Sequence, residues 1–319
     1  MKNNRCYICY ESTAEDSHFH PACLKKLFGS EQLPEIDFNN KKIESMALEL
    51  VKQKKGIPGV QKKLSISLTT TEDQNQIIKR LTIVGYLGGD YILKPSTIEY
   101  PFMPEIEDLT MHLAHIAKLN VALHGLLPMQ DGNLAYITKR FDRHGKKKIS
   151  TEDLCQLSYK LTEDKYKSSY ERVGKVIYRY TTTSGEEILK FFELILFCFI
   201  VGNADMHLKN FSLITENVSN ITLSPCYDLL STRLLISSKN DPEDLALPLN
   251  GKKQNIRKKD FFEFGKNLNI SEKVIQNTIE SMSEYFSQWE QKIQKSFLNA
   301  ELKEQFRELI KMRINILAL

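Results

Sequence analysis

The period of the apolar residues changes near residues 139–150, and this change constrains the fold more than any other feature of the chain. Upstream of it, Leu64, Ile66 and Leu68 alternate with polar residues, as in a strand with one buried face. Downstream, apolar residues recur mostly at helical spacing, with one short hairpin between the helices. The predicted strands are 64–68, 77–86, 90–94, 134–138, 211–215 and 221–224, and the predicted downstream helices are 152–161, 184–201, 259–268, 271–295 and 300–319.

The order of these segments predicts an α+β chain with two lobes and a site where the lobes meet. Residues 31–140 would form a strand-rich N-lobe, and residues 141–319 would form a mostly helical C-lobe. Residues 1–30 would be a separate Cys/His-containing module. Helical spacing within the N-lobe covers 41–55 and 105–119, and turns are predicted at 88–89, 125–128 and 131–133.

A polar block follows the most apolar segment of the chain. Asp205 and Asn210 stand five positions apart, and Asp228 follows eighteen positions after Asn210. Metal-assisted phosphoryl transfer uses such residues: one Asp accepts the hydroxyl proton, while an Asn and a second Asp hold Mg²⁺. The alternative is that all three are turn or capping residues, where Asp and Asn are common.

Three features upstream bear on that alternative. Gly56 and Gly59 precede a strand, so their turn could bring backbone N–H groups against phosphates, although a plain hairpin turn has the same pattern and neither common phosphate-loop motif is matched. Lys94 lies at the end of an apolar strand. It could be a phosphate ligand, and the alternative is a solvated lysine. Glu107 falls near a helix start, where it could pair with Lys94 or complement the helix dipole. Together, this order is that of a protein-kinase-like fold.

The first residues of the chain suggest a metal site. Cys6-x2-Cys9 and His20-x2-Cys23 have the residue types and the paired spacing of a small Cys₃His zinc knuckle. A reduced cysteine cluster that binds no metal is the alternative.

Composition excludes several classes of protein. The 319 residues carry a net charge of +4, which is too weak to indicate nucleic-acid binding by itself. Six cysteines in a chain of this length do not make a disulfide framework, so a reducing compartment is expected. The start of the chain resembles no cleavable signal, and the apolar run 191–201 is too short to span a bilayer. A soluble, cytoplasmic protein is therefore expected.

Six sequence blocks resemble the HipA family, the serine/threonine kinase toxins of bacterial toxin–antitoxin modules. The resemblance covers roughly residues 40–319 and is most specific in the last two blocks. Because the chain is short, it is most similar to the HipT branch, whose missing N-terminal subdomain is a separate small protein, HipS, beside the antitoxin HipB. The blocks are GIPGVQKKL at 56–64, YILKP at 91–95, KRFDR at 139–143, DLCQ at 153–156 with Lys165-Tyr166, DMHLKNFS at 205–212 and YDLLS at 227–231.

The resemblance implies a role for each matching position. Asp205 would be the general base, Asn210 and Asp228 would hold Mg²⁺, and Lys94 would contact the ATP phosphates with Glu107 as its ion-pair partner. Lys209 would neutralise phosphate charge in the catalytic loop. The remaining residues implied to line the ATP site are Gly59, Val60 and Gln61 in the glycine turn, Lys139 at the hinge, Phe141 and Gln156 around adenine, and His207, which orients or supports the loop.

Two positions depart from the family pattern. Gly56 and Pro58 stand where the family often carries serines that are autophosphorylated, so this regulation is not expected at that loop. Lys139 stands where longer relatives carry a Glu at the hinge; a backbone contact to adenine would survive this change, but a side-chain contact would reverse its charge.

The resemblance thus implies an ATP- and Mg²⁺-dependent kinase that phosphorylates a protein, with an aminoacyl-tRNA synthetase as the expected target, to stop translation and growth. HipS-like and HipB-like antitoxins are the expected partners, with DNA reached only through the antitoxin. One alternative is a catalytically weak kinase fold that serves as a corepressor in an antitoxin–DNA complex. Another is a small-molecule kinase, which would share the same catalytic residues.

Overall fold

The computed structural model describes residues 4–14, 17–36, 38, 63–73, 76–85, 88–144, 147–217 and 219–318. The chain folds as two compact units. The first comprises Met1–Asp108 and Ala122–Gly145, and the second comprises Leu109–Val121 and Lys146–Leu319. The α-helices in the described residues are α1 (Pro21–Phe28), α2 (Met103–Ile116), α3 (Leu154–Leu157), α4 (Tyr170–Tyr180), α5 (Ser184–Val201), α6 (Lys258–Asn267), α7 (Glu272–Glu284), α8 (Phe286–Lys295) and α9 (Ala300–Ala318).

The first unit is built on a six-stranded sheet with the strand order β1-β3-β2-β4-β6-β5. All pairs are antiparallel except β1 with β3. Because side chains alternate across a strand, Leu93 of β4 faces one side of the sheet and Lys94 the other. The strands are β1 (Glu35–Ile36), β2 (Leu64–Asp73), β3 (Gln76–Gly85), β4 (Tyr91–Pro95), β5 (His124–Pro128) and β6 (Leu134–Lys139).

The amino-terminal segment shares its hydrophobic core with this sheet. Leu24, Leu27 and Phe28 of α1 are buried in one cluster with Leu64 of β2 and Leu93 of β4. The Tyr91 hydroxyl donates a hydrogen bond to the Leu27 carbonyl at 2.9 Å, which ties β4 to the last turn of α1.

The second unit is organised around α5. This helix is apolar on nearly all of its faces, as expected of a helix that is buried on all sides. Phe191 packs against Phe211 and Phe264 at ring-centroid distances of 5.5 and 6.0 Å. Glu187, which is 1% exposed, accepts a hydrogen bond from the Leu223 amide at 2.7 Å and so holds a strand of the neighbouring sheet against α5.

That neighbouring sheet has three strands in the order β11-β10-β9, all antiparallel. The hairpin of β10 (Ser212–Asn217) and β11 (Asn220–Leu223) confirms the predicted one, and β9 (Ser150–Asp153) adds a strand that the sequence reading missed. The strands β7 (Arg143–His144) and β8 (Lys147–Lys148) form a separate pair.

Several local predictions were wrong. Residues 125–128 were predicted as a turn but lie in β5, and the predicted helix 152–161 consists of the end of β9 and the short α3. The predicted helix 271–295 is two helices, because the chain turns at Tyr285 between α7 and α8. Helices α1 and α4 were not predicted, and the expected helix at 41–55 lies outside the described residues.

Among the helices of the described residues, none has both the length and the apolar character that a membrane span needs.

Candidate active site

Lys94 and Glu107 form a buried ion pair in the first unit. The Lys94 ammonium contacts the Glu107 carboxylate, and the two side chains are 4% and 0% exposed. Lys94 also lies over the ring of its cross-strand neighbour Tyr136, with 5.4 Å between Nζ and the ring centroid. The alternative of a solvated lysine is therefore wrong. Burying a charge costs several kcal/mol per ion, in order of magnitude, and the contact between the two opposite charges offsets part of this cost.

The position at which α2 begins tests whether Glu107 serves to complement the helix dipole. Helix α2 begins at Met103, two residues before the predicted start, and the acidic residue in its first turn is Glu105. Glu107 lies further into the helix, where the helix dipole has little effect on a carboxylate. The contact with Lys94 therefore accounts for Glu107 better than dipole compensation does.

The loop 203–210 in the second unit begins where α5 ends. Gly202 has a φ of +71° and closes the helix in the left-handed conformation. A Cβ atom at this position would lie 2.8 Å from Cβ of Arg233, so a larger residue would displace the chain at the start of the loop. The Asn203 side chain accepts a hydrogen bond from the Asp205 amide at 3.0 Å, and the Thr232 hydroxyl accepts one from the Ala204 amide at 2.9 Å.

These contacts present the Asp205 carboxylate at the surface of the second unit, where its side chain is 50% exposed. The Tyr166 hydroxyl donates a hydrogen bond to Asp205 Oδ1 at 2.5 Å. Desolvation, followed by this bond to a carboxylate, raises the pKa of Tyr166 above its usual value, so the phenol remains a donor at neutral pH. The Asp205 carboxylate can thus accept a hydrogen bond from a second donor while Tyr166 holds the carboxylate in one orientation.

Asn210 is fixed by two hydrogen bonds. Its amide Nδ2 donates to the Asp205 carbonyl at 3.0 Å, and its backbone N–H donates to the His207 carbonyl at 2.9 Å. The side chain is buried, and because its NH₂ group is engaged, its oxygen is the atom suited to a cation.

Asp228 lies just beyond the hairpin and has a φ of +60°, a left-handed conformation that is uncommon for a residue with a Cβ. The preceding residue is anchored, since the Tyr227 hydroxyl donates to the Lys209 carbonyl at 2.9 Å and lies 2.6 Å from the Ser212 hydroxyl. An amide oxygen and a carboxylate are hard oxygen ligands of the kind that Mg²⁺ prefers. The side chains present therefore fit the implied ion.

Lys209 forms an ion pair with Asp153, with 2.9 Å between Nζ and Oδ2. Asp153 also caps α3, because its side chain accepts the Gln156 amide while the Gln156 side chain accepts the Asp153 amide. Asp153 thus holds Lys209, and Tyr166 holds Asp205. Neither partner was assigned to the site from the sequence. Both partners lie within blocks that resemble the HipA family, and this resemblance is the signal that could have identified them.

His207 is buried beside Asp205, with 3.9 Å between Nε2 and Oδ1. Its ring meets the edge of Tyr166 at a centroid distance of 5.0 Å. Desolvation lowers the pKa of His207 below its usual value despite the opposing effect of Asp205, so the imidazole is neutral at physiological pH. Its position suits a residue that supports the loop.

Some of the other residues predicted to contact ATP lie outside the described residues, and the rest make contacts within the protein. Gly59, Val60 and Gln61 lie outside the described residues. The Lys139 amide donates to the Leu123 carbonyl at 2.7 Å, so this N–H is engaged within the sheet, and Phe141 follows two residues later, half-buried. Gln156 is exposed, with its side-chain oxygen in the α3 cap. The adenine contacts of these residues stay predictions.

The four predicted zinc ligands lie together in the first unit. One ligand atom from each of Cys6, Cys9, His20 and Cys23 can be chosen such that all four atoms are within 4.8 Å of one another.

Comparison with known proteins places the chain in a family. The profile described as "HipA-like C-terminal domain" matches residues 56–289. A Haemophilus influenzae protein named "Putative kinase" is 30% identical over 213 residues, which cover 59% of this chain and 62% of the relative. A Sinorhizobium fredii protein named "Putative kinase Y4dM" is 31% identical over 217 residues, which cover 64% of this chain and 52% of the relative. The match thus covers less than two thirds of the length of these two relatives.

Solved structures share the fold. The HipA structure of Shewanella oneidensis MR-1, determined with HipB and operator DNA, aligns with a TM-score of 0.67 at 18% identity over 89% of this chain and 72% of that one. The Helicobacter pylori proinflammatory kinase CtkA aligns with a TM-score of 0.55 at 15% identity over 80% of this chain and 94% of that one. The predicted α+β, kinase-like fold is confirmed. Because the profile match spans well over half of the chain, this protein belongs to the family of HipA-like C-terminal domains.

Proposed function

We propose that this protein is a serine/threonine protein kinase that uses ATP and Mg²⁺. The observation that carries the proposal is the buried Lys94–Glu107 ion pair, since in protein kinases a strand lysine and a helix glutamate must pair for phosphate binding. Two relatives named as kinases and a kinase of the same fold support it.

Lys94 would bind the ATP phosphates in this proposal. Glu107 holds the ammonium in one position, so little conformational freedom is lost when the phosphates arrive. The Lys94 side chain is 4% exposed, and in such low-dielectric surroundings its ammonium attracts a nearby anion more strongly than it would in water.

Asp205 would be the general base. The substrate hydroxyl donates its proton to the Asp205 carboxylate while its oxygen forms a bond to the γ-phosphorus. The bond between that phosphorus and the β–γ bridging oxygen breaks, and ADP leaves with the electron pair. The half-exposed carboxylate can be reached by a protein side chain, and Tyr166 fixes its orientation. The Asn203 side chain holds the backbone of this residue by accepting a hydrogen bond from the Asp205 amide.

Asn210 and Asp228 would hold the Mg²⁺ ion. When bound, the ion neutralises the charge that develops on the phosphate oxygens. The contribution of the chain is to orient the ligands: Asn210 through its bond to the Asp205 carbonyl, and Asp228 through the anchored Tyr227.

The biological role that we propose rests on the family resemblance. We infer that the kinase is the toxin of a toxin–antitoxin module, with HipB-like and HipS-like antitoxin partners and an aminoacyl-tRNA synthetase as its target. The structural relative was solved with HipB and operator DNA, which supports an antitoxin partner in general. The HipT-like assignment and the synthetase target rest on the sequence resemblance.

The test is incubation of a bacterial lysate with purified protein, Mg²⁺ and γ-labelled ATP, followed by identification of the labelled protein and residue. Wild type is compared with Asp205→Asn, and Glu284→Gln is the matched control because it makes a similar change on an exposed part of α7. Wild type and Glu284→Gln are expected to label a serine or threonine of one major protein, and Asp205→Asn is expected to label none.

A thermal shift with ATP and Mg²⁺ shows whether each variant is folded and binds nucleotide. Full transfer by Asp205→Asn would overturn the assignment of the base. Nucleotide binding by wild type without transfer to any protein would favour the corepressor alternative, and transfer only to a small molecule would favour the small-molecule kinase.

A further inference from the structure

The amino-terminal knuckle, defined here as residues 4–14 and 17–28, has a geometry close to that of a metal site. The Cys9 sulfur lies 3.2 Å and the Cys23 sulfur 3.9 Å from Nδ1 of His20. In a tetrahedral site with Zn–S of about 2.3 Å and Zn–N of about 2.0 Å, neighbouring ligand atoms are about 3.5–3.8 Å apart. All four ligand atoms lie within 4.8 Å of one another, so small adjustments would seat one ion among them.

The His20 ring is already oriented for coordination through Nδ1. Its other nitrogen, Nε2, lies 2.9 Å from the Ser12 carbonyl oxygen, which can only accept a hydrogen bond. Nε2 therefore carries a proton, and in the tautomer that this contact selects the Nδ1 lone pair faces the Cys9 and Cys23 sulfurs. Metal-binding histidines are commonly fixed in this way by a carbonyl on the far nitrogen.

The backbone holds the sulfurs in place. The Tyr10 amide donates to the Cys6 carbonyl at 2.9 Å, which closes a tight turn around Cys9, and Tyr10 itself has a φ of 67°. The His20 amide lies 3.4 Å from the Cys6 sulfur, an arrangement that stabilises a thiolate. His20 precedes α1, and Cys23 lies in its first turn. Two separate backbone elements thus direct four ligands to one point.

We propose that Cys6, Cys9, His20 and Cys23 bind one structural Zn²⁺ ion that fixes the knuckle to β5 and α2. The ligand set is closed by protein atoms, as in structural rather than catalytic zinc sites. Tetrahedral sulfur and nitrogen ligands favour zinc over magnesium or calcium, which prefer oxygen.

The residues between the ligands carry the contacts to β5 and α2. The Leu126 amide of β5 donates to the Tyr7 carbonyl at 3.0 Å, and the Ile8 side chain covers Gly125 so closely that a Cβ there would lie 2.9 Å from Ile8 Cγ1. The buried Tyr10 hydroxyl donates to Asp108 Oδ2 of α2 at 2.6 Å.

Asp108 connects this contact to the Lys94–Glu107 ion pair, which is the proposed phosphate-binding part of the site. Its second oxygen lies 2.6 Å from Nδ1 of His124 on β5, and it directly follows Glu107 in α2. Since Tyr10 follows Cys9, an ion on Cys9 would restrict both the Tyr10 ring and the turn of α2 that carries Glu107. Zinc binding by the knuckle requires no kinase activity.

The experiment measures metal bound to the full chain purified without chelator or metal-affinity resin. Zinc per chain is determined by elemental mass spectrometry for wild type, His20→Asn, Cys9→Ser/Cys23→Ser and His18→Asn. The last is a matched control, because His18 is an exposed histidine of the same knuckle outside the ligand set. One zinc ion per chain is expected in wild type and His18→Asn, clearly less than one in His20→Asn, and none in the double variant.

Two further readouts cover variants that fail to fold and test the anchoring role. Wild-type protein reconstituted with Co²⁺ is expected to show the intense thiolate-to-cobalt absorption of a tetrahedral sulfur-rich site. Removing zinc is expected to accelerate hydrogen exchange of the α2 amides near Asp108 while leaving α7 unchanged. Wild type without stoichiometric zinc or the cobalt absorption would overturn the site, and unchanged exchange in α2 after zinc removal would overturn the anchoring.

Discussion

The Tyr166 hydroxyl donates a 2.5 Å hydrogen bond to Oδ1 of Asp205, the residue that we propose as the general base. Thirty-nine positions separate the two residues, so this contact is made by the fold of the second unit and not by local sequence. It leaves the other carboxylate oxygen for the substrate hydroxyl, and the edge of the Tyr166 ring packs against His207.

Tyr166→Phe is therefore expected to lower kcat. A hydrogen bond to a charged group contributes about 1.5 kcal/mol, which corresponds to roughly a tenfold loss if the bond orients the base in the transition state. KM for ATP should not change. Steady-state kinetics of the variant test this, with Tyr178→Phe on the exposed face of α4 as the matched control. A kcat for Tyr166→Phe equal to that of the wild type would show that the bond does not orient the base.

Glu107→Gln is expected to destabilise the protein and abolish ATP use. The change removes the charge that faces the buried Lys94 ammonium, and breaking a buried ion pair from one side costs about 3–5 kcal/mol. Denaturant unfolding measures the free energy of unfolding, and ATP-induced thermal shift measures nucleotide binding. The double variant Lys94→Met/Glu107→Leu should regain most of the stability but none of the activity, because two apolar residues need no partner. Wild-type stability of Glu107→Gln would contradict this account.

Glu105 is expected to make the stability of the protein depend on pH. Desolvation, with a smaller contribution from Asp108, raises the pKa of this buried carboxyl from 4.5 to about 7, and its Oε2 has no hydrogen-bond partner within the described residues. Because the native pKa exceeds the unfolded one, the folded state holds the proton more tightly. The contribution of this tighter proton binding to the free energy of unfolding is fully present below pH 4.5 and is lost as pH rises through about 7.

Glu105→Gln should remove this dependence, since glutamine resembles the protonated side chain. The variant should equal wild type in unfolding free energy below pH 4.5 and exceed it above pH 7, by up to about 3 kcal/mol. Urea unfolding of both proteins across this range tests the prediction, and the difference between them cancels the titration of other groups. A difference that does not vary with pH would contradict it.

Two glycines in helices of the second unit are expected to respond oppositely to alanine. A Cβ at Gly265 of α6 would lie 2.6 Å from Cγ1 of the fully buried Ile275 and 3.3 Å from Cε2 of Phe192, so Gly265→Ala should cost about 1–3 kcal/mol. A Cβ at Gly185 of α5 meets no atom of the described residues within 4 Å. Gly185→Ala should therefore stabilise the protein by about 0.5–1 kcal/mol through reduced backbone entropy of the unfolded chain. Thermal or urea unfolding distinguishes the two signs.

Local pattern was sufficient for much of the fold. Helix α5 has the predicted bounds, since an apolar run with a Gly at its end is a strong local signal. Pattern failed at 125–128, where Gly125 and Pro128 suggested a turn. The segment is a strand because β6 pairs with it and Ile8 covers the position that lacks a side chain. It failed again at Tyr285, where the turn between α7 and α8 interrupts a continuous helical period.

In the candidate site, too, some features could be predicted from the sequence and others could not. The sequence by itself determined the residue types and spacings: Asp205 five positions before Asn210, a lysine ending an apolar strand, and paired Cys and His ligands. The tertiary structure decided the partners that the sequence did not indicate: Tyr166 for Asp205, Asp153 for Lys209, and the Ser12 carbonyl that sets the His20 tautomer. Spacing is set by backbone geometry within a few residues, whereas a partner is set by which faces of distant segments are buried together, and only packing of the whole unit determines that.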